Sequence, residues 1–493
     1  MKIRRLLIAN RGEIAVRVMR TAREMGIATV AVFAEDEAGA RHVREADGSV
    51  SLGAGLPRDT YLDVSRILEA ARASGADAIH PGYGFLSESP ALARAVAEAG
   101  LLWVGPPADA IEEMGDKVRA RRRMEAAGVP VVPGSAAGAL TDEELLAEGR
   151  RIGFPLLVKA SAGGGGKGMS RVDRPENLPA ALAEARRIAG AAFSDERVYL
   201  EAFLAHPRHV EFQVFADTAG NTVHLLEREC SVQRRHQKIV EETPSAALDG
   251  ALRARMGEAA VAAARAVSYV GAGTVEFLLD SGRFYFLEMN TRLQVEHAIT
   301  EETLGIDLVR AQIEVASGTS LPSAWREGRI SPRGHAIELR LYAEDPVEFL
   351  PRAGTILAWE EPTGPGVRVD SGVEKGSRVG LDYDPLLAKL IAFGSDRPAA
   401  IARAARALKE WVVLGVETNQ PLLAAVLASD AFVSGRYATD LLATMPPIAQ
   451  TPPPPEAWIA AALALSAPPE STGVLAAAAP DPWGETGSWR PGR

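Results

Sequence analysis

Cysteine is nearly absent from this chain of 493 residues; Cys230 is the only one. A lone cysteine excludes an internal disulfide and fits a reducing compartment. Long apolar runs are missing too, and no window approaches the ~18 consecutive apolar residues of a membrane-spanning helix. Met1-Lys2-Ile3-Arg4-Arg5 leads at once into the run Leu6–Ala9, which is too short for the core of a secretory signal. Nor is there a surplus of positive charge. Lys and Arg number 54 against 64 Asp and Glu, a formal net charge of −10, which offers no broad basic surface for nucleic acid. These absences lead to the expectation of a cytoplasmic protein that binds neither membrane nor nucleic acid. What is present is ordinary for a globular chain, 47% apolar and 24% charged residues, with length for about three domains.

Alternating strand and helix patterns open the chain. Leu6–Ala9 reads as a strand and Asn10-Arg11-Gly12 as a turn. Ile14, Val18, Ala22 and Met25 then repeat at helical spacing before Gly26 and a second strand, Ala28–Phe33. A further unit follows: strand Ala76–His80, loop PGYGFLSES, a helix from Pro90 capped by Ser89, and strand Leu101–Gly105. This alternation predicts an α/β, doubly wound parallel sheet with ligands at its strand ends. Residues 116–200 carry helix, strand, glycine loop, strand and helix. From 209 the chain is strand-rich: HVEFQVFAD, NTVHLLERE, then the hairpin GTVEFLLD and RFYFLEMN. A third unit of short strands starts with HAIELRLYAEDP, and PPIAQTPPPP after it reads as a stiff, extended linker.

The glycine loop lies in LLVKASAGGGGKGMSRV, Leu156 to Val172. It fails as a Walker loop, because Ser161 stands where the first Gly belongs and Gly168 where Ser or Thr belongs. Gly163, Gly165 and Gly168 fit G-x-G-x-x-G, but a dinucleotide site needs a helix next, and Met169-Ser170-Arg171-Val172 reads as a strand. The loop therefore joins two antiparallel strands. It can fold over a triphosphate and offer backbone N–H groups, with Lys159 and Lys167 adding charge. The plainer alternative is a surface hairpin.

Two more clusters carry chemistry. Glu276 and Glu288 lie on the two strands of the later hairpin, with Asn290 beyond. A three-residue turn at Asp280-Ser281-Gly282 puts both carboxylates on one face, whereas a two-residue turn puts them on opposite faces. Two carboxylates and an amide suit magnesium held against nucleotide phosphates; surface ion pairs are the poorer alternative among Phe277, Leu278, Phe284, Phe286 and Leu287. Arg292, Gln294 and Glu296 follow. An Arg fork matches a carboxylate or bicarbonate, and Glu296 can act as a general base if its pKa is tuned. In CSVQRRHQKIVEE, Gln233, Arg234, Arg235, His236 and Lys238 crowd together. Such a run is ordinarily a solvated basic face, and a phosphate or carboxyanion site is the sharper alternative. Cys230 reads as a core residue.

These stretches together resemble biotin carboxylase, an ATP-grasp enzyme, over residues 1 to about 445. The resemblance is carried by IANRGEIAVR, HPGYGFLSE, MGDK, SAGGGGKGM, PRHVEFQVF, ERECSVQRRHQKIVEE, GAGTVEF, FLEMNTRLQVEH and ELRLYAEDP, in the family's order. It implies a Rossmann-like N-terminal domain (1–115) and an ATP-grasp domain (116–325) whose glycine hairpin lies in a mobile lid (about 131–203). A mixed β domain (335–445) follows, then the linker and the start of a docking region (446–493). The implied reaction has bicarbonate attack the γ-phosphate of ATP with Mg2+ (or Mn2+) to give carboxyphosphate. This yields CO2 and phosphate, phosphate takes the N1′ proton of biotin, and biotin attacks CO2. A labile intermediate requires that water be excluded.

Carried over residue by residue, the resemblance implies that Lys117 and Lys159 contact phosphates and that Gly163, Gly164, Gly165, Gly166, Lys167 and Gly168 cover them. Glu201 to Leu204, Phe203 included, flank adenine, with Ala202 where many relatives carry Lys. His209, Gln233 and His236 lie near ribose and phosphates, and Lys238 reaches the transferring phosphate and bicarbonate. Glu276, Glu288 and Asn290 hold the metal. Arg292, Gln294 and Val295 bind bicarbonate, Glu296 is its base, Arg340 stabilises the biotin enolate, and Tyr83 lies at the biotin site. No Ala-Met-Lys-Met sequence for biotin attachment is present, so biotin is expected on a separate carrier protein, or on a carrier domain if the chain is cut from a longer one. A carboxyltransferase and a second copy of the chain, as a homodimer, are the other implied partners. Two other readings compete: an ATP-grasp ligase that activates a different carboxylate, and a non-catalytic ATP-binding scaffold.

Overall fold

The computed structural model describes residues 2–135, 140–161, 169–193, 195–234, 237–448 and 455–459. The alternating pattern of the first hundred residues forms a parallel sheet. Its strands β1 (Arg5–Ile8), β2 (Ala28–Phe33), β3 (Gly48–Ser51), β4 (Ala78–His80) and β5 (Leu102–Trp103) lie in the order β3-β2-β1-β4-β5. The order switches between β1 and β4, the position at which sheets of this kind bind ligands. Asn10, after β1, bridges to the loop after β4: its Nδ2 donates to the carbonyls of Pro81 and Tyr83, each at 2.7 Å. Gly82 between them has φ +64°, and a Cβ there would lie 2.8 Å from Asn10 Nδ2. Only glycine meets both demands. Ser89 caps the helix Pro90–Glu98 as expected, accepting the Leu92 N–H at 3.2 Å.

The glycine loop does connect antiparallel strands. β6 (Leu156–Ala160) pairs with β7 (Ser170–Val172) on one side and β8 (Val198–Ala202) on the other. Gly163 to Gly166, Lys167 and Gly168 lie outside the described residues, as does His236. This small sheet has its own apolar core, including Leu145, Leu156, Val158, Leu182 and Leu200. Each such side chain contributes ~1.5–3 kcal/mol on burial.

An eight-stranded antiparallel sheet forms the base. Its strands are β9 (Arg208–Ala216), β10 (Thr222–Arg234), β11 (Gln237–Thr243), β12 (Gly271–Asp280), β13 (Arg283–Asn290), β14 (His335–Tyr342), β17 (Val367–Ser371) and β19 (Leu386–Gly394). The order is β13-β12-β9-β10-β11-β14-β19-β17, so the sheet runs unbroken from the strand-rich middle into the third unit. The short strands β15 (Gly354–Thr355), β16 (Ala358–Glu360), β18 (Arg378–Val379) and β20 (Val412–Leu414) pair outside it, β15 with β18 and β16 with β20. The chain divides after Pro446: Met1–Pro446 forms one unit and Pro447–Arg493 another. In the second unit, Trp458 and Ile459 are exposed.

The β12–β13 turn corrects the expected geometry. Asp280 pairs with Arg283, so the turn has two residues, Ser281 and Gly282, both with positive φ. Regular pairing from such a turn would oppose Glu276 to Leu287. A bulge intervenes: Phe277 opposes Phe286 but Glu276 opposes Glu288. The extra residue, Leu287, shifts the phase and returns both carboxylates to one face. Phe277, Phe284 and Phe286 belong to the apolar core, while Leu278 and Leu287 line the cavity above the carboxylates.

Candidate active site

A cavity of about 550 Å³ opens between the small sheet and the base. Lys117, Lys159, Glu201, Phe203 and Leu204 line its upper part; His209, Gln233, Lys238, Glu276, Glu288, Asn290, Arg292, Gln294, Val295 and Arg340 line its floor. The structure thus gathers most of the candidate residues into one place. A wider groove of about 870 Å³ lies elsewhere, beside Arg123, Arg265 and Arg326, and has only one carboxylate, Glu258, on its wall.

Sheet register builds the floor. Arg228, Glu211, Glu276 and Glu288 oppose one another directly across β10, β9, β12 and β13. Three carboxylates in consecutive cross-strand positions repel. The arrangement persists because cations enter the row. Arg228, fully buried, donates to Glu211 at 2.6 Å, to Gln213 at 2.8 Å and to Thr274 at 3.0 Å. Lys238 contacts Glu211, Glu276 at 2.6 Å and Glu296 at 2.8 Å. His209 Nε2 lies 2.8 Å from Glu276.

Titration follows from this row. Burial alone raises Glu276, but Lys238 and His209 outweigh it and hold the carboxyl well below the usual range. Glu288 is raised, first by burial and then by Glu276, and it has no hydrogen-bond partner among the described residues. An under-neutralised carboxylate facing a second one is a fitting place for a hard divalent cation. Potential donor atoms of His209, Glu211 and Glu276 in the row lie within 4.8 Å of one another. Glu211 was not singled out from the sequence. Its signal was legible in HVEFQVF, where His209, Glu211 and Gln213 alternate with apolar residues and so share one face.

Beyond the row, Glu296 ends the loop after β13 and begins the helix His297–Leu304. Its two oxygens meet Lys238 at 2.8 Å and Arg340 at 2.9 Å. Burial pushes Glu296 up, but Lys238, Arg340 and Arg228 reverse this and hold it well below the ordinary range. In this arrangement Glu296 is held in its ionised form by two cationic neighbours, Lys238 and Arg340. Arg340 also pairs with Glu241, which burial pushes up to about 7, with Arg340 opposing and Glu296 adding. Arg292 donates to Glu88 at 3.1 Å, Asn290 at 3.1 Å and Gln294 at 3.0 Å, fanning its guanidinium over the floor. Glu88 too was missed.

Of the run after Cys230, the described Gln233 and Arg234 are no solvated face: both are buried in β10, and Arg234 is held by Glu344 and the Phe349 carbonyl. Cys230 is a fully buried thiol, as expected, and burial followed by Glu211 pushes its pKa well up. The Tyr83 hydroxyl donates to Glu13, and Tyr83 lies within electrostatic reach of Arg340. Lys159 pairs with Glu201, which Arg121 also contacts at 3.3 Å.

Three family models match in succession: the biotin carboxylase N-terminal domain over residues 2–111, the ATP-binding domain of the carbamoyl-phosphate synthase L chain over 116–324, and the biotin carboxylase C-terminal domain over 338–444. A biotin carboxylase of Halalkalibacterium halodurans is 48% identical over 437 residues, 88% of this chain and 96% of that protein. The chain belongs to the biotin carboxylase family. Within it, a pyruvate carboxylase subunit of Methanothermobacter thermautotrophicus is 49% identical over 436 residues, 88% of each chain. The mitochondrial methylcrotonoyl-CoA carboxylase alpha subunit of Oryza sativa is 48% identical over 90% of this chain but only 61% of its own length. Among solved structures, a Campylobacter jejuni biotin carboxylase in a β-γ-ATP complex superposes with a TM-score of 0.87 at 42% identity, covering 90% of this chain and 99% of that one. The biotin carboxylase domain dimer of Hydrogenobacter thermophilus 2-oxoglutarate carboxylase, with MgADP and bicarbonate, gives 0.86 at 43%, covering 90% and 98%. The ATP-grasp architecture is therefore shared. No described helix is long and apolar enough to cross a membrane.

Proposed function

We propose that the chain carboxylates biotin with bicarbonate at the expense of ATP, the first half-reaction of a biotin-dependent carboxylase. The observation that carries this reading is the juxtaposition of Lys238, Glu296 and Arg340 on the floor of a cavity whose other wall has the cations of a nucleotide site. ATP enters with its base against Glu201, Phe203 and Leu204 and its phosphates against Lys117, Lys159, His209 and Gln233. The glycine loop, Lys167 and His236 complete this part. Magnesium is assigned to Glu276 and Glu288, with Asn290 beside them, and Glu211 is a further donor. When bound, the metal neutralises charge that builds up on the transferred phosphoryl group.

Bicarbonate is assigned to Arg292, Gln294 and the Val295 backbone, with its proton directed at Glu296. The carboxylate accepts that proton more readily once Lys238 turns from Glu296 toward the phosphoryl group, because one of its two neutralising cations has then left. Phosphorylation makes bicarbonate electrophilic, and the resulting carboxyphosphate splits inside the closed site. Arg340 is placed to stabilise the oxygen anion that develops on biotin as its N1′ proton leaves. Biotin arrives on a carrier protein or domain, and a carboxyltransferase uses the product. We further assign the chain to the cytoplasm, as a homodimer, with the domain limits 1–115, 116–325 and 335–445.

The match of residues 116–324 to a carbamoyl-phosphate synthase domain favours one competing reading, a ligase that phosphorylates bicarbonate without biotin. ATP cleavage by the purified chain with magnesium and bicarbonate, with and without free biotin, separates the two. Stimulation by biotin with formation of carboxybiotin is the expected result. Bicarbonate-dependent cleavage indifferent to biotin sinks the proposal.

A further inference from the structure

Lys389 lies beneath the bicarbonate loop, and the mechanism above does not use it. It sits in β19 and is fully buried. Register places it directly opposite Arg340 on one side and Asp370 on the other. Its ammonium donates to the Val295 carbonyl at 2.7 Å and lies 3.2 Å from Glu13. Glu13, in the helix Gly12–Glu24, accepts the Tyr83 hydroxyl on the same oxygen. One buried cation therefore touches the loop between β13 and the next helix, the parallel-sheet domain and, through Glu13, the loop PGYGF.

A buried ammonium is costly unless every donor is used, so its partners define its role. Most neighbouring carbonyls of the base sheet are fixed by ladder pairing. The Val295 carbonyl belongs to a connection that forms no ladder. It also shares a planar peptide unit with the Glu296 N–H, so fixing the oxygen fixes the plane from which Glu296 departs. We propose that Lys389 is a positioning residue for the bicarbonate pocket, anchoring Val295 and thereby the Glu296 carboxylate, with Glu13 coupling this anchor to Tyr83. The inference rests on the reading of Arg292–Glu296 as the bicarbonate site. The charged and titratable groups around the ammonium are Arg340 and Glu338 from β14, Asp370 and Arg368 from β17, Glu13 and Arg17 from the first helix, and His297 from the helix after the loop. Burial works against the charge on Lys389, but Glu13, Glu338 and Asp370 outweigh it, and the ammonium stays protonated.

The test is bicarbonate-dependent ATP cleavage by the full chain carrying Lys389→Met, with free biotin present. The KM for bicarbonate is expected to rise about tenfold or more, the effect of a slightly misplaced binding loop. The KM for ATP stays within about twofold, because Lys389 touches no residue of the nucleotide wall. An unchanged KM for bicarbonate, with losses confined to thermal stability, overturns the proposal. Glu13→Gln keeps the size of its side chain but removes the charge, and about a threefold rise in the same KM is expected. If Lys389→Met does not fold, Glu13→Gln decides: a raised KM for bicarbonate supports the anchor and an unchanged one overturns it. Glu296→Gln runs in parallel. Full carboxylation by that variant removes the bicarbonate site itself and the inference with it. An inactive Glu296→Gln beside an unchanged KM for bicarbonate in Lys389→Met removes the Lys389 inference alone.

Discussion

The two walls of the cavity solve opposite problems. The nucleotide wall is a three-stranded sheet over an apolar core, and its cations are few: Lys159 has one carboxylate partner, Glu201. The base is a sheet whose inner face is packed with charge, where Lys238 alone meets three carboxylates and Arg340 meets two. A cation with one partner can be lent to a phosphate at little cost. A cation inside a neutralised network gives up a partner only when another anion replaces it, as the phosphoryl group does for Lys238, so the base otherwise holds its geometry and the upper wall supplies adaptable contacts. Substitutions on the base should accordingly reduce turnover, and those on the upper wall should weaken ATP binding.

Arg340→Ala provides the strongest test. It removes the group placed for the biotin oxyanion and leaves Glu241 and Glu296 short of a cation. Carboxybiotin formation is expected to fall by about 10³-fold or more, with ATP affinity nearly unchanged. Equal losses in both, measured by steady-state kinetics and nucleotide titration, would dissolve the contrast between the walls.

Acid stability sharpens the same contrast within one strand. Glu241 and Glu242 are neighbours on β11 and so face opposite sides of the sheet. Glu241 faces the site and is pushed up to about 7, whereas Glu242 is drawn down to about 2 from an ordinary 4.5. Burial alone would raise Glu242 as well, but hydrogen bonds from His335 and Arg397 reverse this. A depressed carboxyl binds fewer protons when folded than when unfolded. Its contribution is therefore fully present above pH ~4.5 and is lost as pH falls toward ~2, an upper limit of ~3 kcal/mol. Glu242→Gln should flatten that acid limb in denaturant titrations. A limb that stays equally steep would mean that other carboxylates carry it.

Much of this was legible from residue order. The parallel sheet, the antiparallel glycine hairpin and the Ser89 cap follow from periodicity and turn chemistry, which act locally. The pairing of Glu276 with Glu288 was legible only as a condition on the turn. Its resolution by a bulge at Leu287 depends on how two strands pack against β9 and the core, which no local pattern encodes. Glu88, Glu241 and Lys389 escaped for a related reason. Each lies far in sequence from the side chain it holds, and a charged residue looks alike in the sequence whether it meets solvent or a buried partner. Glu211 is the instructive case, since its strand alternates cleanly and the polar face was there to be read. The row became visible only when the register placed Arg228 and Glu276 on either side of it.

Two smaller effects probe the upper wall. Lys159→Ala removes a cation from the phosphate end and frees Glu201, and the KM for ATP should rise about tenfold with a lesser change in kcat. Arg171, on β7, stacks over the Phe203 ring at 4.2 Å, and Phe203 faces the cavity. A half-exposed cation–π contact is worth ~0.5–1 kcal/mol. Arg171→Ala should therefore loosen the ring and raise the KM for ATP only about two- to fivefold, at unchanged kcat. A fall in kcat without any change in KM would place Arg171 in the chemistry of the base rather than in the grip of the upper wall, and the division of labour between the two walls would have to be redrawn from that residue.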